Sequence, residues 1–235
     1  MSGTVVVDLS HHNTIADLSK TRASGILGVI YKASEGSNYK DPTYDTQRQA
    51  AQQAGLLWGA YHFLRPGNMQ QQAQWFLTCA KPSTSDMLVA DFEDDSMSLG
   101  DLQAWLDAIY SLTGVKAVIY SGHTLREKLG NTMVTPLTDH QLWVAHYTSA
   151  PQPNLPRAFT TWFLWQFSES GSVPGIKAPT DTNRFNGDPS DLASQWAGPV
   201  PTPEPEPTPA PMETVTITIT LPRGSTIKVV TEGTT

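Results

Sequence analysis

The chain is predicted to be an α/β protein whose parallel strands close into a barrel, on three observations. Short runs of β-branched and aromatic residues alternate with helix-length stretches through the first half of the 235 residues. After the fifth such run the helices shrink to turns, so the barrel is expected to finish irregularly. The runs end in polar or aromatic groups, namely Asp8, Glu35, Tyr61, Asp91, Glu93, Tyr120, Tyr147, Gln166 and Asp181. In a closed barrel those ends share one rim, which is where barrel enzymes place their chemistry.

Residues 4–7 form the first run, which stops at Asp8 before the polar loop of Ser10, His11, His12 and Asn13. Residues 28–33 read as the second strand and lead into Ser34, Glu35 and Gly36. A helix is expected over 42–54, with Pro42 in a permitted first-turn position and Gly55 as its stop. The third strand, 57–63, leads through the loop 65–68 into a glutamine-rich helix ending near Ala80. The fourth strand is expected over 87–93. A helix over 98–112 follows, with Ser98 and Asp101 spaced as a capping box and Gly114 ending it. Strands over 115–120, 142–147, 161–167 and 180–183 complete the set, and a helix over 189–196 closes the domain.

The composition then changes. Seven of the thirteen residues in 199–211 are proline, which predicts an extended, semi-rigid polyproline spacer. Residues 212–235 alternate again, with Val215, Ile217, Ile219 and Leu221 on one face and threonines on the other; a turn at 222–225 makes them a hairpin. The expected division is a catalytic barrel over 1–198, a linker over 199–211 and a hairpin tail over 212–235. A lone two-stranded hairpin is marginal in water, so the tail must dock on the barrel, associate with copies of itself, or be the remnant of a longer module.

A formal charge of −7 argues against a nucleic-acid groove and against attraction to an anionic membrane. Cys79 is the only cysteine, so there is no internal disulfide and no zinc-type spacing. His11 and His12 are adjacent and point apart in extended chain, while His62 and His146 sit among apolar neighbours as core histidines. No metal and no cofactor are expected. The start lacks the basic and apolar regions of a signal peptide, and no apolar run approaches ~20 residues. Synthesis in a cytoplasm without an export signal is the resulting expectation.

Chemistry concentrates in residues 88–95, where an apolar run ends in four carboxylates. If the strand continues to Glu93, Asp91 and Glu93 share a face, roughly 6 to 7 Å apart along the backbone. Two carboxylates so placed suit general acid chemistry: one ionises, and its field helps the other keep a proton to donate. An exposed acidic strand end and a cation site are the alternatives that this stretch alone leaves open.

Eight segments in order carry a resemblance: Val7-Asp8-Leu9-Ser10, Lys32-Ala33-Ser34-Glu35-Gly36, Gly59-Ala60-Tyr61-His62-Phe63, Asp91-Phe92-Glu93, Ile119-Tyr120-Ser121, Leu142-Trp143-Val144-Ala145-His146-Tyr147, Trp165-Gln166-Phe167 and Asp181-Thr182-Asn183-Arg184-Phe185. Together, across roughly residues 4–196, they resemble the glycoside hydrolase family 25 lysozymes. The resemblance implies a modified TIM-like (β/α)5β3 barrel that cleaves the β-1,4 bond from N-acetylmuramic acid to N-acetylglucosamine in peptidoglycan glycan strands. It implies Glu93 as proton donor, Asp91 as the second carboxylate of a D-x-E motif, and Asp8 and Asp181 as two further acids. Tyr61, Tyr120, Trp143, Tyr147, Gln166 and Asn183 match groove positions, and Glu35 is a further candidate for contact with substrate. Asp91 either attacks the anomeric carbon or orients the substrate's own N-acetyl group to do so. A phage or prophage endolysin, released to the cell wall by a separate factor, fits the missing export signal. The rival readings are a non-catalytic saccharide-binding barrel and a glycosidase acting on chitin-like polymer.

Overall fold

The computed structural model describes residues 3–197 and, beyond them, the backbone of two strands, Thr214–Thr220 and Thr226–Glu232. Eight strands and six helices follow in chain order: β1 (Val6–Leu9), α1 (Leu18–Ala23), β2 (Gly28–Glu35), α2 (Tyr44–Gln53), β3 (Leu57–Phe63), α3 (Met69–Ala80), β4 (Met87–Asp91), α4 (Leu99–Thr113), β5 (Val118–Ser121), α5 (His123–Leu129), β6 (Leu142–Ala145), β7 (Leu164–Gly171), β8 (Thr180–Phe185) and α6 (Leu192–Gln195). A two-residue strand, Tyr39–Lys40, pairs with the end of β2.

Neighbouring strands from β1 through β7 pair in parallel. The last strand is reversed: β8 is antiparallel to both β7 and β1, and its pairing with β1 closes the barrel. Five strand–helix units followed by three strands with short links is the expected modified TIM-like (β/α)5β3 plan. The reversal has a chemical result. The first residues of β8 lie at the rim where the parallel strands end, so Asp181 stands directly across from Asp8.

The helix caps follow the residues. Ser98 and Asp101 form the full capping box of α4, and Gly114 ends it in the left-handed region at φ 71°. Asn68 caps α3 through a bond from the Gln71 amide. Two helices depart from expectation. α1 has no counterpart among the expected helices, because six residues are too short for an apolar period; it is held by the Asp17 side chain, which accepts from the amides of Ser19 and Lys20. α5 fills a place where only turns are expected, after a Gly122 that offers no capping side chain.

Two apolar layers hold the barrel. The outer layer packs the strands against α1 to α5 through residues such as Leu88, Phe92, Phe76 and Trp105. The inner layer fills the barrel with Val6, Ile30, Met87, Val89, Val118, Trp143, Leu164 and Phe185. Trp196, 1% exposed, plugs the end opposite the rim, and its indole N–H donates to the Trp58 carbonyl at 2.7 Å. The plug fits because β2 begins with Gly28: a Cβ there would lie 2.5 Å from the Trp196 ring.

The chain divides into two compact units, residues 1–200 and 201–235. In the second, Thr214–Thr220 and Thr226–Glu232 pair antiparallel with Ile217 opposite Val229, as the expected hairpin does. The proline-rich spacer over 199–211 lies outside the described residues. Among the described residues no helix is long and apolar enough to cross a membrane.

Candidate active site

β4 is apolar and buried from Met87 to Ala90 because it is covered by the inner layer on one face and helices on the other. It ends at Asp91, two residues earlier than expected. The Phe92 amide still donates to the Tyr120 carbonyl, and Ser121 Oγ donates to the Phe92 carbonyl at 2.7 Å, which sinks the Phe92 ring into the outer layer. The chain then turns around Asp94, which accepts from the Ser96 amide and hydroxyl. Glu93 therefore sits on a loop, and its place beside Asp91 does not come from a shared strand face. Both nevertheless line one cavity.

That cavity, about 390 Å³, opens at the rim. Of the anticipated residues it gathers Asp8, Tyr61, Asp91, Glu93, Tyr120, Trp143, Tyr147, Gln166 and Asp181. Asn183 and Glu35 do not line it. Asn183 is fully buried beneath Asp8, and Glu35 stands aside, held by Lys32 at 2.6 Å and Arg65 at 2.8 Å. Ser10, His12, Lys32, Phe63 and Glu169 line the cavity without having been anticipated. Lys32 had a signal in the sequence: it interrupts an apolar strand, and it shares a face with Ile30, whose side chain points into the barrel. Its ammonium lies 5.1 Å from the Phe63 ring centroid and 5.5 Å from that of Tyr39, and is 9% exposed as a residue.

A chain of polar contacts fixes one side of the cavity. Trp143 Nε1 donates to Asn183 Oδ1 at 2.7 Å; an indole N–H can only donate, so the Asn183 amide must turn its NH₂ the other way. That NH₂ donates to Asp8 Oδ2 at 2.7 Å. Gln166 Nε2 donates to both Asp8 oxygens at 2.9 and 3.1 Å, and its carbonyl accepts from the hydroxyls of Tyr120 and Tyr147. Gln166 thus links two tyrosines to one carboxylate, and every amide orientation is determined.

Burial dominates the electrostatics. It pushes Asp8 up to about 6 despite the bonds from Asn183 and Gln166. It pushes Asp181 up to about 8, helped by the charges of Asp8 and Glu169. Asp91, 5% exposed, is held well above the usual carboxylate range, first by burial and then by the charge of Glu93, with Lys32 opposing. Its Oδ1 is buried without a hydrogen-bond partner among the described residues. Glu93 reaches solvent through the cavity mouth, yet the surrounding protein still raises its pKa by desolvation, with His123 opposing and Asp181 assisting.

His62 has the core role expected of it. It is fully buried and stacks on Trp105 at 5.6 Å. Its Nε2 donates to Gln72 Oε1, which leaves Nδ1 to accept from Ser34 Oγ, and burial lowers its pKa to about 4.

The raised acids link stability to pH. The folded chain keeps protons on Asp8 and Asp181 that the unfolded chain, with carboxyls near 3.8, has released. Their contribution is complete below pH 3.8 and is lost as pH rises through about 6 for Asp8 and about 8 for Asp181. Asp181→Asn removes one of these losses. In thermal melts the variant is expected to gain on wild type steadily between pH 4 and 8; a gap that stays constant over that range would contradict the assignment.

A closed β/α barrel with acids and aromatic rings gathered at one rim has the build of a glycoside hydrolase. The profile of the glycosyl hydrolases family 25 matches residues 7–176. Lysozyme M1 of Streptomyces globisporus is 28% identical over 81% of this chain and 70% of its own length. The protein YegX of Escherichia coli K12 is 33% identical over 74% of this chain and 65% of its own, so the match spans about two thirds of these relatives. A lysozyme from Streptococcus phage Cp-1 is 28% identical over 60% of this chain and 43% of its own. The crystal structure of the bacterial lysozyme from Streptomyces coelicolor superposes with a TM-score of 0.76 at 27% identity, over 84% of this chain and 98% of that one. The chain belongs to glycosyl hydrolases family 25, and its barrel is a glycoside hydrolase acting as a muramidase.

Proposed function

We propose that the barrel cuts the β-1,4 bond from N-acetylmuramic acid to N-acetylglucosamine, with Glu93 as the acid and Asp91 as the group that orients the substrate. The supporting observation is the unlike setting of the two carboxyls. Glu93 is accessible at the cavity mouth, and the desolvation that raises its pKa favours the protonated form that can meet the leaving oxygen. Asp91 is buried, and its unpartnered Oδ1 suits an N–H that arrives with the substrate.

In this reading Glu93 protonates the glycosidic oxygen as the C1–O bond breaks. The acetamido oxygen of the muramic acid residue forms a bond to C1 from the opposite face, while Asp91 accepts from the acetamido N–H. Water then opens the cyclic intermediate, giving its proton to the Glu93 carboxylate and restoring the starting anomer. Asp8, anchored by Asn183 and Gln166 and ionised above about pH 6, supplies negative charge for the oxocarbenium-like state, while Asp181, pushed up to about 8, holds a proton at neutral pH that it can offer to a sugar oxygen. Tyr61, Tyr120 and Tyr147 offer flat faces with polar edges to the sugars, and Tyr147 is half exposed for that purpose.

Fragments released from purified peptidoglycan test the reading. Muramic acid is expected at each new reducing end, in the retained anomer during the first seconds of turnover. Glucosamine at that end would mean a chitinase-like cut, and the inverted anomer would eliminate the substrate-assisted route. We further read the protein as a phage or prophage endolysin, a reading supported by its likeness to the lysozyme of phage Cp-1. Expression from the source genome only on prophage induction is the expected pattern, and constitutive expression in growing cells counts against it.

A further inference from the structure

A second cavity, about 370 Å³, lies at the opposite end of the barrel, beside the starts of β6 and β7, and shares no lining residue with the catalytic one. Its volume falls in the range of small-molecule sites. We propose that it binds a neutral pyranose of the N-acetylhexosamine type, giving the enzyme a saccharide-holding site separate from the one that cuts.

Three features identify the ligand class. The first is a pair of acceptors that no described residue satisfies. His140, 9% exposed, has its Nδ1 at 2.8 Å from the Ala117 carbonyl. A carbonyl only accepts, so the ring proton is on Nδ1, and Nε2 presents a lone pair that has no hydrogen-bond partner among the described residues. Burial lowers the pKa of this imidazole, which keeps it neutral and accepting. The neighbouring Gln141 Oε1 is buried and has no hydrogen-bond partner among the described residues. Leaving such an oxygen unpaired is costly, and a turn of the Gln141 side chain toward the cavity it lines would let a ligand hydroxyl or amide N–H relieve it.

The second feature is aromatic. Trp162, partly exposed and oriented by a bond from its Nε1 to Gln152 Oε1, lines the cavity with Phe159 and Phe163. Ring faces of this kind suit the apolar C–H side of a pyranose. The third is charge. Lys116 and Asp139 at the cavity edge pair with each other at 3.4 Å, so no uncompensated charge is left there to select an ion. Unpaired acceptors, aromatic faces and neutrality together describe a hydroxylated ring bearing an N–H, and disfavour a phosphate, a cation or a purely apolar ligand. Two sites on one rigid barrel raise the effective concentration of an insoluble glycan at the cutting site.

The test uses the full chain with ¹³C-labelled histidine and the Glu93→Gln substitution to prevent turnover, titrated with triacetylchitotriose. The Cε1–H signal of His140 reports the second cavity, and that of His12 reports the catalytic one. The expected result is a saturable His140 shift, weakened about tenfold by Trp162→Ala and by roughly two- to tenfold by Gln141→Leu, with the His12 response unchanged. Gln141→Leu removes the unpartnered oxygen together with a single long, exposed bond from Nε2 to the Gln195 carbonyl at 3.5 Å, so it decides the matter if Trp162→Ala fails to fold. A His140 signal that stays in place up to about 10 mM trisaccharide, ten times a millimolar dissociation constant, overturns the proposal whatever His12 does. So does a shift that both variants leave intact.

Discussion

Replacing Glu93 with glutamine is expected to lower kcat on purified peptidoglycan by roughly 10²- to 10⁴-fold, the span of general acid catalysis. KM and the melting temperature are expected to stay near those of wild type. Glutamine keeps the shape and polarity of the side chain, and Glu93 faces solvent at the cavity mouth, so no core contact is disturbed. Only the transferable proton is lost. A substrate whose leaving group departs as an anion without help, such as a nitrophenyl glycoside, should lose far less. Equal losses on both substrates would mean that Glu93 binds sugar rather than protonating it, and a fall of less than about tenfold on peptidoglycan would remove it from the role of acid.

Trp196→Ala is expected to cost about 3–5 kcal/mol, the range for deleting a large buried aromatic side chain. The indole is fully enclosed, it closes the barrel opposite the rim, and its removal strands the Trp58 carbonyl it satisfies. The neighbouring strand cannot fill the gap, since Gly28 has no side chain. From the other direction, Gly28→Ala puts a Cβ 2.5 Å from the ring and is expected to cost about 1–3 kcal/mol through overpacking. The two losses must interact: once the indole is gone the methyl group introduced by Gly28→Ala meets open space, so the double variant should be more stable than the sum of the singles predicts. Denaturant midpoints of the four proteins test this, and strict additivity would show that the two residues do not press on each other.

The barrel was legible because its signals are local. Each strand is a short apolar run with a polar end, and the long helices carry their caps, such as Ser98 with Asp101, in consecutive sequence. What escaped was either too short or too distant. α1 depends on one aspartate and α5 on none, and neither is long enough to show an apolar period. The expected strand through Glu93 fails because Phe92 keeps a ladder-like bond to Tyr120 while the backbone already turns toward Asp94, and no propensity distinguishes those two states. The candidate acids were read from their places at run ends and from the resemblance, but the supports beneath them were not: that Asn183 holds Asp8 from below, or that the charge of Lys32 on β2 reaches Asp91 past the intervening β3, depends on strand register. Nothing local marks β8 as reversed.

The closing strand also sets when this enzyme can exist. Asp8 and the Asn183 that holds it are 175 residues apart, and they meet only when β8 seals against β1. A ribosome-bound chain that has delivered seven strands carries Asp91, Glu93 and Gln166 but lacks Asp181, leaves Asp8 without the Asn183 half of its amide clamp and has two open edges. On the proposed assignment of the acids, muramidase activity is expected only once β8 has closed the barrel, and a single proteolytic nick that frees β8 is expected to abolish it while leaving most of the polypeptide uncut.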